Sequence, residues 1–239
     1  MTMTMMTIAP AAMIRGETMT ETMKHVDPAD LSGPVDSVRV WDPLLRVFHW
    51  GLVTAFAVAW LSADEVQPVH ELAGYAVAGL IAFRLIWGFV GSRFARFAQF
   101  LRGPAVTLSY LGDMMRGRER RYIGHNPAGA VMVVALLLTL AGTALTGWLL
   151  EEPTRLSLVP ELPQAVSPAF ADGMDDHDRD DDEGMEALED VHEALATFAL
   201  VLVALHVGGV LLASFRHREN LARAMVTGTK HAPGPDDIA

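Results

Sequence analysis

Apolar and polar positions along the chain fall into long alternating blocks. Four blocks, residues 44–63, 70–91, 128–150 and 188–215, are apolar over about the 20 residues that a helix needs to cross hydrocarbon. The charged and histidine residues within the first two are Arg46, His49, His70, Glu71 and Arg84, mostly near their ends. Lipid offers the backbone no water, so such blocks must satisfy their own amide groups, which a helix does within one segment. The pattern predicts an all-α fold: a transmembrane four-helix bundle.

The polar blocks delimit the rest. Residues 1–38 lack the apolar core of a signal peptide, and their composition predicts a disordered cytoplasmic tail. Further methionines at Met13, Met19 and Met23 leave the start position open. The membrane domain is expected over 39–230, with an acidic outer loop at 151–187 and a short C-terminal tail at 231–239.

Charge gives the bundle a direction. Arg93, Arg96, Arg102, Arg116, Arg118, Arg120 and Arg121 crowd the connection between spans two and three. Arg216, Arg218, Arg223 and Lys230 follow span four, and Arg15, Lys24, Arg39 and Arg46 precede or open span one. The opposite side carries only Arg155 and Arg179 among many acids. Basic residues collect on the cytoplasmic side, so both termini are expected there, in a bacterial inner membrane. Trp41 and Trp87 then fall at the inner boundary and Trp60 and Trp148 at the outer one, as an interfacial belt requires.

Candidate chemistry comes from the histidines. Polar side chains at mid-membrane are costly and tend to mark function, although a lone one is as readily a packed structural histidine. His206 lies inside span four, and His192 lies fourteen residues earlier on the same helix. Fourteen helical steps are close to four turns, so both rings share one face about 21 Å apart. His70 opens span two at the outer surface, and His49 lies fourteen residues before the outer end of span one. The four rings therefore fall at two depths, His70 with His192 outside and His49 with His206 inside.

Two imidazoles facing one another across a bundle match what a six-coordinate haem iron needs. Gly51, Gly74, Gly208 and Gly209 would make room for a macrocycle, although close helix packing explains such glycines equally well. Zinc fits less well, because the rings are split between two depths and the inner pair has no carboxylate. A proton relay fits less well too, because span four offers "EALATFALVLVAL" between its histidines. The chain has no cysteine, which excludes disulfides, iron–sulfur clusters and thioether-linked haem.

Other polar residues take plainer readings. His25, His177 and His231 lie in polar tails or loops, and His217 in a basic tail. His125, in "YIGHNPAGA", precedes a helix start marked by Asn126 and Pro127; a quinone contact is the functional alternative. Arg46 and Arg84 sit in or beside spans. Snorkelling to the interface is the ordinary reading, and pairing with haem propionates or a quinone headgroup the functional one. The acidic tract is read as solvated, with docking of a basic protein as the alternative. A calcium loop is disfavoured, since Asp181 stands where such a loop needs glycine.

The segments "VWDPLLRVFHWGL", "HELAGY", "FRLIWGFVGSRFARF", "GHNPAGA" and "VHEALATFALVLVALHVGGVLLASFRHRENLARAMVTGTK" cover most of residues 37–230. In these the chain resembles the bacterial cytochrome b561 family and the related b-type cytochrome subunits of nickel–iron hydrogenases. The resemblance implies two non-covalent b haems in a four-helix bundle and quinone-linked electron transfer. It carries the iron-ligand role onto His49, His70, His192 and His206. The long acidic connection between spans three and four departs from the shorter one usual in that family.

The function expected is a di-haem b-type cytochrome. It would carry electrons between a quinone pool or membrane redox partner and a periplasmic c-type cytochrome or oxidoreductase subunit. Quinol oxidoreductase activity and a homodimer are left open, and no nucleic acid partner is expected. One alternative is a haem-bearing membrane anchor for a periplasmic hydrogenase or other dehydrogenase. Another is a haem-free transporter that uses its histidines for protons or metal.

Overall fold

The computed structural model describes residues 37–152, 154–155 and 177–238, with side chains of the last stretch described from Gly184 onward. Residues 1–36 of the tail expected over 1–38, and residues 153 and 156–176 of the loop expected over 151–187, lie outside the described residues. Seven helices occur among the described residues: α1 (Pro43–Ser62), α2 (Gln67–Val90), α3 (Phe97–Phe100), α4 (Pro104–Met115), α5 (Pro127–Glu151), α6 (His177–Arg216) and α7 (Leu221–Thr227). Four of them are long and apolar enough to cross a membrane: α1, α2, α5, and α6 over Gly184–Arg216. The protein is a multi-pass membrane protein of mostly helical fold.

Local chemistry sets the helix starts. Asp42 caps α1 by accepting from the Leu45 N–H at 2.9 Å, and Pro43 follows it. Asn126 caps α5 by accepting from Gly129 N–H at 2.7 Å, with Pro127 next, as the sequence signalled. The turn joining α1 to α2 spans only residues 63–66, so these helices are antiparallel neighbours.

Packing runs from α1 to α2, from α2 to α5 and from α5 to α6. Neither α1 nor α2 has an extensive backbone contact with α6. A cleft is thereby left between the α1–α2 hairpin and α6. Large apolar side chains such as Leu61, Leu72 and Phe89 are exposed on the outer faces of the spans. In water they would be a liability; in a bilayer they are the surface that lipid covers.

Two features depart from the sequence reading. The last helix begins at His177, so the second half of the acidic tract is helical rather than loop. Acidic residues favour a helix N-terminus, and the following "EGMEALED" is rich in helix formers. At 40 residues α6 is about 60 Å long, twice the hydrocarbon thickness, so its first turns stand clear of the membrane.

The second feature is a small cap on the opposite end. Strands β1 (Ser37–Arg39) and β2 (Thr229–His231) pair antiparallel, Val38 opposite Lys230, across both expected edges of the membrane domain. Helix α7 ends at Gly228, whose φ of 85° only glycine adopts easily. A side chain there would also come within 2.7 Å of the Trp41 carbonyl. The Gly228 carbonyl accepts from the N–H groups of both Val40 and Trp41, at 2.9 and 3.1 Å.

Candidate functional site

The four histidines meet as two facing pairs in the cleft. The outer pair is His70, in the first turn of α2, and His192 of α6, with ring centroids 6.1 Å apart and planes at 76°. His70 Nδ1 lies 2.8 Å from the Ala59 carbonyl. A carbonyl only accepts, so that nitrogen carries the proton and Nε2 keeps its lone pair. His192 Nδ1 lies 2.9 Å from Thr146 Oγ1. That hydroxyl has its own acceptors in the Gly142 and Thr143 carbonyls, each at 3.0 Å, so it receives the histidine proton on a lone pair. Both outer rings thus offer Nε2 as a donor atom for a metal.

The inner pair is His49 of α1 and His206 of α6, with centroids 6.4 Å apart and planes at 52°. The edge of His49 meets Trp50, with centroids 5.1 Å apart, which restrains the ring. His49 Nδ1 is buried and has no hydrogen-bond partner. A buried imidazole nitrogen without a partner is costly, which marks this ring as built for something beyond the protein's own atoms.

Both separations suit an iron between the rings. Two imidazole nitrogens bound at about 2 Å on opposite sides of a metal put the ring centroids a little over 6 Å apart. The surroundings suit a flat apolar macrocycle as well. A side chain at Gly74, Gly208 or Gly209 would meet nothing within 4 Å, so these glycines border open space rather than a close helix crossing. Gly51 is different: its position faces Leu80 at ordinary contact distance. No group of three or more histidines and carboxylates fit to hold a metal occurs among the described residues, which disfavours a tetrahedral zinc site.

Several side chains around these rings escaped the sequence reading. Gly147 lets the His192 ring lie against α5, since a Cβ there would sit 3.0 Å from its Cε1. Thr146 and Gly147 lie on α5 and His192 on α6, so no periodicity within one helix links them. Arg84 does not snorkel: it is 2% exposed, with Nη2 donating to the Ala95 carbonyl at 3.0 Å and its guanidinium over the Phe97 ring at 4.7 Å. Gly88 makes that possible, because any side chain there would collide with Phe97. Arg46 instead donates to the Val226 carbonyl and helps hold α7.

His125 lies between aromatic rings, 4.8 Å from Trp41 and 4.6 Å from Phe100, and its buried Nδ1 has no partner. Desolvation, then the charges of Arg84 and Lys230, hold its imidazole down to about 3, so it is neutral at physiological pH. Below it lies the cap. Arg121 pairs with Glu219 at 2.8 Å and with Asp237, and Lys230 Nζ lies 3.1 Å from the Ile123 carbonyl. Burial pushes the Lys230 ammonium below its ordinary value. Burial would raise Glu219, but hydrogen bonds from Arg121 and the His231 N–H outweigh it and hold the carboxyl low.

The geometry gives paired imidazoles at two depths of a four-span bundle. A protein-family model described as prokaryotic cytochrome b561 matches residues 40–228, from the β1–α1 junction to the end of α7. No curated protein and no solved structure matches the chain. The family match and the four apolar helices make this a membrane b-type cytochrome of electron transfer, with b-type haem as its cofactor. The chain belongs to the prokaryotic cytochrome b561 family.

Proposed function

We propose that the chain conducts electrons across the bacterial inner membrane between a quinone pool or membrane redox partner and a periplasmic partner, using two b haems. His49 and His206 would hold the inner iron, and His70 and His192 the outer one. The observation that carries this reading is the pair of facing imidazole sets, 6.4 and 6.1 Å between centroids. Each haem, when bound, supplies a one-electron carrier at its own depth. The chain's residues do the rest. Ala59 and Thr146 fix the Nδ1 protons of the outer rings and aim Nε2 into the cleft. The apolar cleft keeps water from the metal sites, and the fourteen-residue spacing on α6 sets them about 21 Å apart.

Arginine-rich segments on the side of α3, α4 and the cap support cytoplasmic termini. The acidic start of α6 then projects outside, beyond the outer pair. A basic acceptor such as a lysine-rich c-type cytochrome would be steered there, with a rate that falls as salt rises. The test is a pyridine haemochrome assay on the purified full chain. Two b haems per chain are expected. A colourless protein from haem-replete cells would overturn the proposal, and a single haem would remove one of its two levels.

A further inference from the structure

On α2, Arg84 follows His70 by fourteen residues, the same interval that separates His192 from His206 on α6. Arg84 therefore shares a face with His70 and stands about 21 Å deeper, at the level of the inner pair. That level thus receives His49 from α1, His206 from α6 and a guanidinium from α2. The guanidinium is 2% exposed, and its Nη1 is buried without a hydrogen-bond partner. Among the described residues no carboxylate forms an ion pair with it. Asp42 acts on it at longer range, but that carboxylate is committed to the Leu45 N–H, Ser92 Oγ at 2.5 Å and Trp87 Nε1 at 3.3 Å.

A buried cation with a free donor and no carboxylate in contact is expensive, unless a ligand brings the anion. We propose that Arg84 binds a propionate carboxylate of the inner haem through Nη1. The proposal rests on the di-haem reading above. Phe97, stacked on the guanidinium, and the Ala95 carbonyl, which takes Nη2, hold the fork so that Nη1 is the arm left to the ligand. Arg46 also keeps a buried nitrogen without a partner, its Nε, but its Nη1 is engaged with the Val226 carbonyl and ties the guanidinium to the cap. A fixed positive charge beside the haem stabilises the ferrous form over the ferric form, so Arg84 raises the inner potential.

The test is potentiometric titration of the full chain in nanodiscs with resonance Raman of the haem propionate bending mode, for wild type, Arg84→Gln and Arg84→Lys. The wave lost in His206→Ala identifies the inner haem. In Arg84→Gln the inner wave should fall by the equivalent of a tenfold change in oxidation ratio, about 59 mV for one electron. The outer wave should stay, and the propionate band should move. Arg84→Lys should restore the potential but not the band, because an ammonium lacks the planar fork. If Arg84→Gln fails to accumulate, the band of Arg84→Lys decides: an unmoved band overturns the proposal. So does an Arg84→Gln protein whose inner wave and band match wild type, or one whose outer wave moves instead. Absence of two waves in wild type would overturn the di-haem reading itself, a separate result.

Discussion

His70 and His192 face one another with centroids 6.1 Å apart, and each has its Nδ1 tied to another helix: the Ala59 carbonyl of α1 and the Thr146 hydroxyl of α5. Four helices therefore set the orientation of one pair of rings. Thr146→Val keeps the shape and removes the partner of His192. Outer-shell partners of this kind are worth about 10- to 100-fold in metal affinity. The expected outcome is weaker retention of the outer haem during purification, with the inner haem unaffected, read as haem per chain. Retention equal to wild type would show that the Thr146 bond does not orient the ring.

Gly147 gives a steric version of the same test. Its missing side chain is the space that the His192 ring occupies, so Gly147→Ala should displace the ring and disturb the outer haem. Gly74→Ala, where nothing lies within 4 Å, should leave a folded protein whose outer haem alone is crowded by the added methyl. Visible spectra of the two variants, taken at equal protein, check both expectations.

The cap should respond to acid. Glu219 and Asp237 both sit below their ordinary values of 4.5 and 3.8, because their hydrogen bonds and Arg121 outweigh burial. A carboxyl depressed in the folded state contributes stability above its unfolded value, and that contribution is lost as pH falls through the folded value. Protection of the α7 and β2 amides against hydrogen exchange, taken relative to the intrinsic rate at each pH, should therefore fall below about pH 4 and hold between pH 6 and 8. Glu219→Ala leaves Arg121 and Lys230 facing a lost partner, which costs about 3–5 kcal/mol for a buried pair. That variant should show fast exchange in the cap already at neutral pH.

Sidedness can be read cleanly because the chain has no cysteine. Asp64→Cys, in the α1–α2 turn, should react with an impermeant thiol reagent in intact cells depleted of their outer membrane. Pro235→Cys should react only after the inner membrane is opened. The reverse pattern would invert the bundle.

The sequence was informative where the signal is periodic. Long apolar runs announced four spans, and the fourteen-residue intervals from His192 to His206 and from His49 to the end of span one put four rings at two depths. Information ran out where partners come from distant chain. Ser37–Arg39 and Thr229–His231 are too short to show any alternation, so their pairing was invisible. Snorkelling is the default for an arginine near a helix end, and only the packing of Phe97 into the space left by Gly88 shows that Arg84 stays inside. The Thr146–His192 bond joins residues 46 apart and has no local signature.

Haem content of double variants measures directly which histidines share a centre. His49→Ala/His206→Ala should retain one haem b per chain, and so should His70→Ala/His192→Ala. His49→Ala/His192→Ala should retain none, because it takes one ligand from each level. One haem surviving in that last variant, with none in the first two, would contradict the pairing.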